Sequence, residues 1–312
     1  MNGIEVSVIV PCYNETKNIR VVYSAISNVF SGNSCFELIF IDDGSEDTTL
    51  DEIKLVVQKD ANVKYIAFSR NFGHQQALKA GLDMAQGQAV IMMDGDLQHP
   101  PSLIPEIINK WKEGYDIVNT VREESKKIGF FKRKSANLFY WILNFLTDLN
   151  LKPGMADFRL LDKKVVDVVR SCNEYDIFIR GMVKWIGFNQ TSIHYIPVKR
   201  HSGKTKYSLR KMISFAISGI TSFSVRPLRV SVLLASVFIL FSVIEIIYVL
   251  YIVLFTGQFV SGWASLAILI SFLGAGTLLM LGIIGEYIGK MFLQSKGRPN
   301  YIIKETNCKQ GS

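Results

Sequence analysis

Ala89-Val90-Ile91-Met92-Met93-Asp94-Gly95-Asp96-Leu97-Gln98-His99-Pro100-Pro101 is the stretch that decides the fold. An apolar run that stops at a Gly-containing polar cluster reads as a buried strand ending in a turn. The acidic pair falls where that strand ends. On an extended segment Asp94 and Asp96, one residue apart, project their carboxylates to the same side. Two hard oxygen donors suit Mg2+ or Mn2+, which keep one or two carboxylates and complete their shell from substrate phosphates. A diphosphate is therefore the expected partner. His99 also suits Mn2+, but Pro100 follows it and no second His has ligand spacing, so the expected metal set is Asp94 and Asp96.

Outward from this strand, the apolar runs Val6–Val10, Leu38–Ile41 and Val63–Phe68 alternate with helical stretches over Lys17–Val29, Thr48–Gln58 and Gln75–Ala85. Alternation of this kind predicts a parallel sheet covered by helices. Ligands bind such sheets beyond the carboxyl ends of the strands. Pro11-Cys12-Tyr13-Asn14-Glu15, Asp42-Asp43-Gly44-Ser45 and Asp94-Gly95-Asp96 all lie at those ends, so three loops are expected to converge on one crevice. Asp42 and Asp43 either cap the helix beginning near Thr48 or accept hydrogen bonds from a nucleobase or ribose, with Gly44 allowing close backbone approach. Tyr13 and Glu15 would line the same end. No G-x-G-x-x-G follows the first strand and no G-x-x-x-x-G-K-[ST] occurs, so dinucleotide-binding and P-loop readings lack their phosphate cradle.

The C-terminal third has a different composition. Stretches 230–255 and 264–285 are nearly uncharged, and each exceeds the roughly 20 residues that span a bilayer. Two transmembrane helices are expected; the alternative, a buried hairpin of core helices, would normally show a polar face. Lys204, Lys206, Arg210, Lys211, Arg226 and Arg229 precede the first span, and Lys290, Lys296, Arg298 and Lys304 follow the second. The loop near 256–263 carries no charge, so both chain ends are expected in the cytoplasm. No basic leader precedes the first strand. The 35 basic and 27 acidic residues give a net charge of +8. Its clustering at 122–134, 199–211 and the span ends fits an anionic membrane better than nucleic acid. Stretches 130–149 and 207–223 combine basic flanks with apolar and aromatic residues, as helices in the headgroup layer do, although core packing would leave the same pattern. The four cysteines lack C-x-x-C spacing and are expected as free thiols. Glu245 is an ionisable group in mid-span, and Gly274, Gly276, Gly282, Gly285 and Gly289 place small residues where helices pack closely.

Several motifs occur together and in order: Val8-Ile9-Val10-Pro11-Cys12-Tyr13-Asn14-Glu15, Ile41-Asp42-Asp43-Gly44-Ser45, Ser69-Arg70-Asn71-Phe72-Gly73, Asp94 to Pro101, Asp157-Phe158-Arg159-Leu160, Arg200 to Tyr207 and Gly285-Glu286-Tyr287-Ile288-Gly289. Over essentially its whole length the chain resembles the family-2 glycosyltransferases of GT-A fold. Within them it resembles most the polyprenyl-phosphate enzymes with two C-terminal spans, the bactoprenol glucosyltransferases of O-antigen modification. The resemblance implies an α/β GT-A domain with a Rossmann-like mixed sheet over 1–225, including the interfacial helices. A two-helix membrane hairpin over 226–290 and a cytoplasmic tail over 291–312 would follow.

By the same resemblance, Asp43 contacts the base, Asp94 and Asp96 serve the ribose and the metal-bound diphosphate, and Asp157 lies near the acceptor. Arg159, Arg200 and Lys206 would meet phosphate oxygens. Pro11, Tyr13, Glu15, Asp42, Arg70 and Gln98 join the substrate-binding set, and Asp96, Asp157, Arg200 and Lys206 the catalytic one. Thr205 stands where related sequences often have Ser, and keeps the hydroxyl. The implied partners are UDP-glucose, undecaprenyl phosphate and the bilayer of a bacterial inner membrane. A homo-oligomer such as a tetramer, a flippase and a downstream glycosyltransferase are also implied.

The expected reaction is attack by a lipid phosphate oxygen on the anomeric carbon of a nucleotide sugar, with inversion. A phosphate monoester is mostly dianionic at neutral pH, so Asp157 is expected to orient the acceptor site, by holding Arg159 or a lysine, more than to remove a proton. The Gly-containing loop from Arg200 to Tyr207 is expected to close over the diphosphate. Alternatives are another sugar, a processive synthase, which the absent [EQ]-x-x-Arg-Trp motif disfavours, and a silent membrane scaffold.

Overall fold

The computed structural model describes residues 4–31, 35–123, 144–147, 154–196, 219–255 and 262–308. Of the two stretches expected in the headgroup layer, only the helical residues 144–147 and 219–223 are described; the remainder, with Arg200 and Lys206, lies outside the described residues.

β1 (Val6–Cys12), β2 (Phe36–Asp42), β3 (Val63–Phe68) and β4 (Ala89–Met92) alternate with α1 (Thr16–Val29), α2 (Thr49–Val57) and α3 (His74–Met84). They pair in parallel with β1 between β2 and β4. The crossover direction therefore reverses at β1, and the loops after β1 and β4 part to leave a crevice at their carboxyl ends. The period-2 pattern explains the burial. Val8, Val10, Leu38, Phe40 and Ile91 face one apolar layer with Ile19, Val22 and Ile26 of α1. Ile9, Ile39, Ile41 and Met92 face the other, with Ala77 and Leu78 of α3. Both faces of β1 are covered, as a central parallel strand requires.

The sheet is mixed rather than purely parallel. After α4 (Ile104–Lys112) come β5 (Ile117–Arg122), β6 (Met155–Asp162), α5 (Lys163–Ser171), α6 (Ile179–Ile186) and β7 (Gln190–Tyr195). β6 inserts between β4 and β5 and runs antiparallel to both, while β7 pairs in parallel with β5. This insertion brings Asp157 and Arg159 beside the end of β4, with Arg159 opposite Met92.

Two long helices follow, α7 (Arg226–Phe255) and α8 (Trp263–Ser295). Windows over Arg226–Ile252 and Leu269–Ser295 are long and apolar enough to cross a membrane, and neither is buried in the fold, which removes the core-hairpin alternative. Phe238 of α7 meets Phe272 of α8 edge to face at 5.1 Å, and Gly276 lets Phe238 come close. Among the described residues, Gly274, Gly282, Gly285 and Gly289 have nothing within 4 Å of where a Cβ would sit, so packing between these two helices uses only one of the five glycines.

α8 continues past the apolar stretch that ends near 285, and the chain then returns to the sheet. β8 (Ile303–Thr306) pairs antiparallel with β3, completing the order β7-β5-β6-β4-β1-β2-β3-β8. The segment expected as a tail is thus an edge of the catalytic sheet. Glu305 pairs with Lys54 at 2.8 Å, Tyr301 stacks on Phe68 at 5.2 Å, and the Tyr301 hydroxyl donates to Asp83 at 2.8 Å. A chain ending at Arg298 would leave β3 as an uncovered edge. Its thermal midpoint is expected to fall by roughly 5–10 °C, the equivalent of losing a few kcal/mol in a domain of this size, as measured by a melt in detergent.

Candidate active site

The loop after β4 is a turn, not the extended segment the sequence suggests. Leu97 takes a left-handed conformation (φ 60°), and Asp96 Oδ1 accepts the Gln98 N–H at 3.1 Å. Gly95 packs closely beneath the turn, where a Cβ would lie 3.3 Å from Cys12 Sγ and from the Pro11 carbonyl oxygen. His99 closes the turn. Its Nδ1 accepts the Asp94 N–H at 3.2 Å, which leaves the ring proton on Nε2, 3.7 Å from Asp94 Oδ2. The ring is buried, stacked on Phe158 at 5.3 Å. His99 thus supports the backbone of Asp94 from a stacked, buried ring.

The loops after β1 and β2 are laced together. Asn14, itself left-handed (φ 54°), donates its N–H to Ser45 Oγ and accepts the Glu46 N–H through Oδ1, both at 2.9 Å. The Glu15 N–H reaches Thr49 Oγ1 at 2.9 Å, and Glu15 Oε2 accepts from Asn18. Asp47, rather than Asp42 or Asp43, accepts the Thr49 N–H at the start of α2, at 3.0 Å. Asp42 accepts the Ser45 N–H, while Asp43 gathers the N–H groups of Phe72 (2.7 Å) and Gly73 (3.0 Å to Oδ2). Burial raises the pKa of both carboxyls, with these hydrogen bonds opposing it. Gly44 (φ 66°) lies against the Arg70–Asn71 backbone, where a Cβ would be 2.3 Å from the Arg70 carbonyl carbon. Arg70 is exposed, its guanidinium 4.0 Å from the centre of the Phe72 ring.

Three strand ends do converge. The buried Cys12 thiol records it: burial raises its pKa well above the ordinary value, and the charges of Asp42, Glu15 and Asp94 add to the effect. Across the crevice, Gln98 Oε1 accepts from Arg122 at 3.3 Å. Burial, with Asp94 and Asp96 adding to it and Arg122 opposing, pushes the Tyr195 hydroxyl up to about 12.

On β6, Asp157 is nearly buried and held in a fork by Arg180 in the first turn of α6, at 3.1 Å to Oδ1 and 2.8 Å to Oδ2. His74 Nε2 stands 3.6 Å from Asp157 Oδ2 and 3.5 Å from Asp94 Oδ1, bridging two carboxylates from different strands. Burial alone would raise the Asp157 pKa, but Arg180, His74 and Arg159 together hold it well below the usual carboxylate range. His74, whose side chain is 42% exposed at the crevice, is pulled down by desolvation of its inner edge and up by Asp157 and Asp94, leaving it at about 9 and cationic at neutral pH. Arg159 is completely buried rather than open to a phosphate: Nη2 donates to the Ala156 carbonyl at 2.9 Å and lies 3.6 Å from Asp157 Oδ1. Its place on β6, covered by neighbouring strands, makes it a charge support beneath Asp157, although burial lowers its pKa to about 10.

Asp94 Oδ1 is buried without a hydrogen-bond partner, and no group of three or more His, Cys, Asp or Glu side chains assembles a complete metal cage among the described residues. Two neighbouring carboxylates with an unsatisfied oxygen fit Mg2+ or Mn2+ that takes its remaining ligands from phosphate and water, and do not fit a closed structural site. Sequence reasoning missed His74 and Arg180. His74 directly follows the Ser69–Gly73 motif and could have been found by extending it; Arg180 has no local signal.

Against known proteins, residues 7–170 match the model for glycosyl transferase family 2. The chain belongs to this family. It is 42% identical to the Bacillus subtilis (strain 168) glycosyltransferase YkcC, with 97% of this chain and 94% of that one covered. It is 37% identical to the bactoprenol glucosyl transferase of Shigella phage SfV, over 98% of this chain and 100% of that one. Among solved structures, glucosyl-3-phosphoglycerate synthase from Mycobacterium tuberculosis with Mn2+, uridine diphosphate and phosphoglyceric acid aligns at TM-score 0.49 and 18% identity, covering 70% of this chain and 77% of that chain. The protein is a glycosyltransferase with a GT-A domain and two candidate membrane helices C-terminal to it.

Replacing Asp157 by Asn leaves Arg180 and the buried Arg159 without their counter-charge, which is expected to cost about 3–5 kcal/mol of stability. Because the Asp157 pKa is depressed in the fold, its ionic contribution is fully present above the unfolded value near 4 and is lost as pH falls through the folded pKa. The gap between melts of the two proteins should therefore be widest near pH 5–6, narrowing below about pH 4 as Asp157 protonates and also above about pH 6.5, because the His74 pKa, raised to about 9 in part by Asp157, contributes stability that is lost as pH rises.

Proposed function

We propose that the protein transfers glucose, with inversion, from UDP-glucose to undecaprenyl phosphate on the cytoplasmic face of a bacterial inner membrane, supplying a lipid-linked sugar for O-antigen or other envelope glycans. The observation that carries this reading is the placement of an acidic crevice at the β1–β4 switch point, facing the Asp157–Arg180 fork, on a domain rooted in two apolar helices. Full-length similarity to bactoprenol glucosyl transferases supports the acceptor and the sugar. Topology has independent support. The strands preceding α7 and the strand following α8 belong to one sheet, so two crossings return the chain to the side it left.

In this reading Asp43, Asp42 and Glu15 line the nucleoside end, Arg70 lies at its rim, and Asp94 and Asp96 would hold Mg2+ or Mn2+ against the diphosphate. The metal supplies charge neutralisation for the leaving group. Cationic His74 keeps the Asp94 and Asp157 carboxylates together without mutual repulsion. The lipid phosphate arrives mostly as a dianion and needs no base. Asp157, ionised and committed to Arg180, is a poor proton acceptor and acts by holding Arg180 in place on the acceptor side. Arg200 and Lys206, which lie outside the described residues, would meet phosphate oxygens, as the family resemblance implies. The same reading includes a homo-oligomer and delivery of the product to a flippase and a downstream glycosyltransferase.

The deciding experiment is transfer of radiolabel from a panel of UDP- and GDP-sugars to undecaprenyl phosphate in detergent with Mg2+ or Mn2+. Label is expected in the lipid phase from UDP-glucose, with at least a hundredfold loss in Asp96→Asn, in the range seen when one charge-stabilising group is removed. Nucleotide binding without transfer from any donor would leave the silent-scaffold reading. In the same assay Asp157→Asn is expected to be slow at every pH from 6 to 9; recovery on raising the pH would make Asp157 a general base instead.

A further inference from the structure

The loop between α5 and α6 is held residue by residue by the cytoplasmic end of α8. Gln294 uses both ends of its amide: Oε1 accepts the Tyr175 N–H and Nε2 donates to the Asn173 carbonyl, each at 2.6 Å. Asn300 Nδ2 donates to the Glu174 carbonyl at 3.0 Å, and Lys290 pairs with Asp176 at 3.1 Å. Four consecutive residues, 173 to 176, are therefore gripped from α8 and the segment just beyond it. On its other side the same loop meets the first turn of α3, where Gln75 Oε1 accepts the Ile179 N–H at 3.0 Å and Gln76 Nε2 reaches the Tyr175 carbonyl at 3.4 Å. Those glutamines follow His74, and Ile179 precedes Arg180. The end of the long helix α8 is thus joined through one short loop to two of the three cationic partners of Asp157, His74 and Arg180.

A helix is stiff along its axis, rising 1.5 Å per residue, so Gln294 sits about 14 Å along α8 from Gly285, where the apolar stretch ends. Fixing the loop to Gln294 and Asn300 fixes how far Arg180 and Asp157 stand from the bilayer. A prenyl-linked phosphate cannot leave the interface to find its site, because its chain is anchored in hydrocarbon. We infer that Gln294 and Asn300 are positioning residues for the acceptor: they set the height of the Asp157–Arg180 fork above the membrane and so govern use of a membrane-bound lipid phosphate, while their own hydrogen bonds go to residues 173–175 and not to the Asp43 or Asp96 loops. This inference rests on the lipid-phosphate reading above.

The test compares two acceptors, undecaprenyl phosphate in vesicles and a short-chain, water-soluble prenyl phosphate. For Gln294→Leu and Asn300→Leu, kcat/KM for the vesicle acceptor is expected to fall at least tenfold. The KM for the nucleotide sugar and transfer to the short-chain acceptor should stay within twofold. Gln294→Glu keeps the acceptor for the Tyr175 N–H but loses the donor to Asn173, and should lie between; it also serves if the leucine variant does not fold. Equal losses with both acceptors, or a raised nucleotide-sugar KM, would make the contacts merely structural and overturn the inference, as would an unimpaired Gln294→Leu/Asn300→Leu double variant. Wild-type protein that transfers to neither acceptor would remove the functional reading, and the positioning role with it.

Discussion

A carboxylate withdrawn from water must find positive charge or give up its own, and Asp157 meets that constraint with three cationic groups from three parts of the chain. Arg180 grips it from α6, Arg159 underlies it on its own strand, and His74 reaches it from the start of α3. Each contact ties down an element that would otherwise be set only by non-directional apolar packing. Because His74 also faces Asp94, the cluster spans the crevice and couples the acidic turn after β4 to the β6 strand beside it. The same pairing keeps Asp157 ionised, its pKa held well below the usual carboxylate range.

Around this cluster the loops are positioned by one another rather than by the strands alone. Asp43 draws the Phe72 and Gly73 N–H groups toward the end of β2, and Gly44 permits that approach by lacking a Cβ. His99 holds the Asp94 backbone from a buried, stacked ring. The loops after β1, β2 and β3 therefore satisfy backbone groups near the crevice with side chains from one another, and the loop after β4 does so with its own His99. Such mutual satisfaction keeps an acidic site rigid before substrate arrives and reduces the reorganisation needed when charge develops. Rigidity of the site and its attachment to the membrane stem meet at the 173–176 loop.

Much of this was readable in the chain. The first four strands and their covering helices follow from apolar runs and 3.6-residue periodicity, and their bounds agree with the structure to within a residue or two. The convergence of Glu15, Asp42 and Asp94 around Cys12 follows from the rule that parallel strands present their carboxyl ends together. The extended reading of Asp94-Gly95-Asp96 failed because it used strand geometry for residues already past the ladder, where Leu97 turns the chain. Arg159 was placed at a phosphate by motif, yet its strand is inserted between two others and its side chain is covered. Arg180 and β8 gave no local signal at all.

Local periodicity, segment length and side-chain chemistry are enough to establish the α/β class, the two apolar helices and the acidic residues available for a metal and a diphosphate. Only the tertiary structure decided that β6 runs antiparallel into the middle of the sheet, that Arg180 and His74 share Asp157, and that the segment after α8 returns to pair with β3. Those outcomes depend on contacts between residues tens to hundreds of positions apart, and local propensity carries no information about which distant partner satisfies a buried charge or an open strand edge.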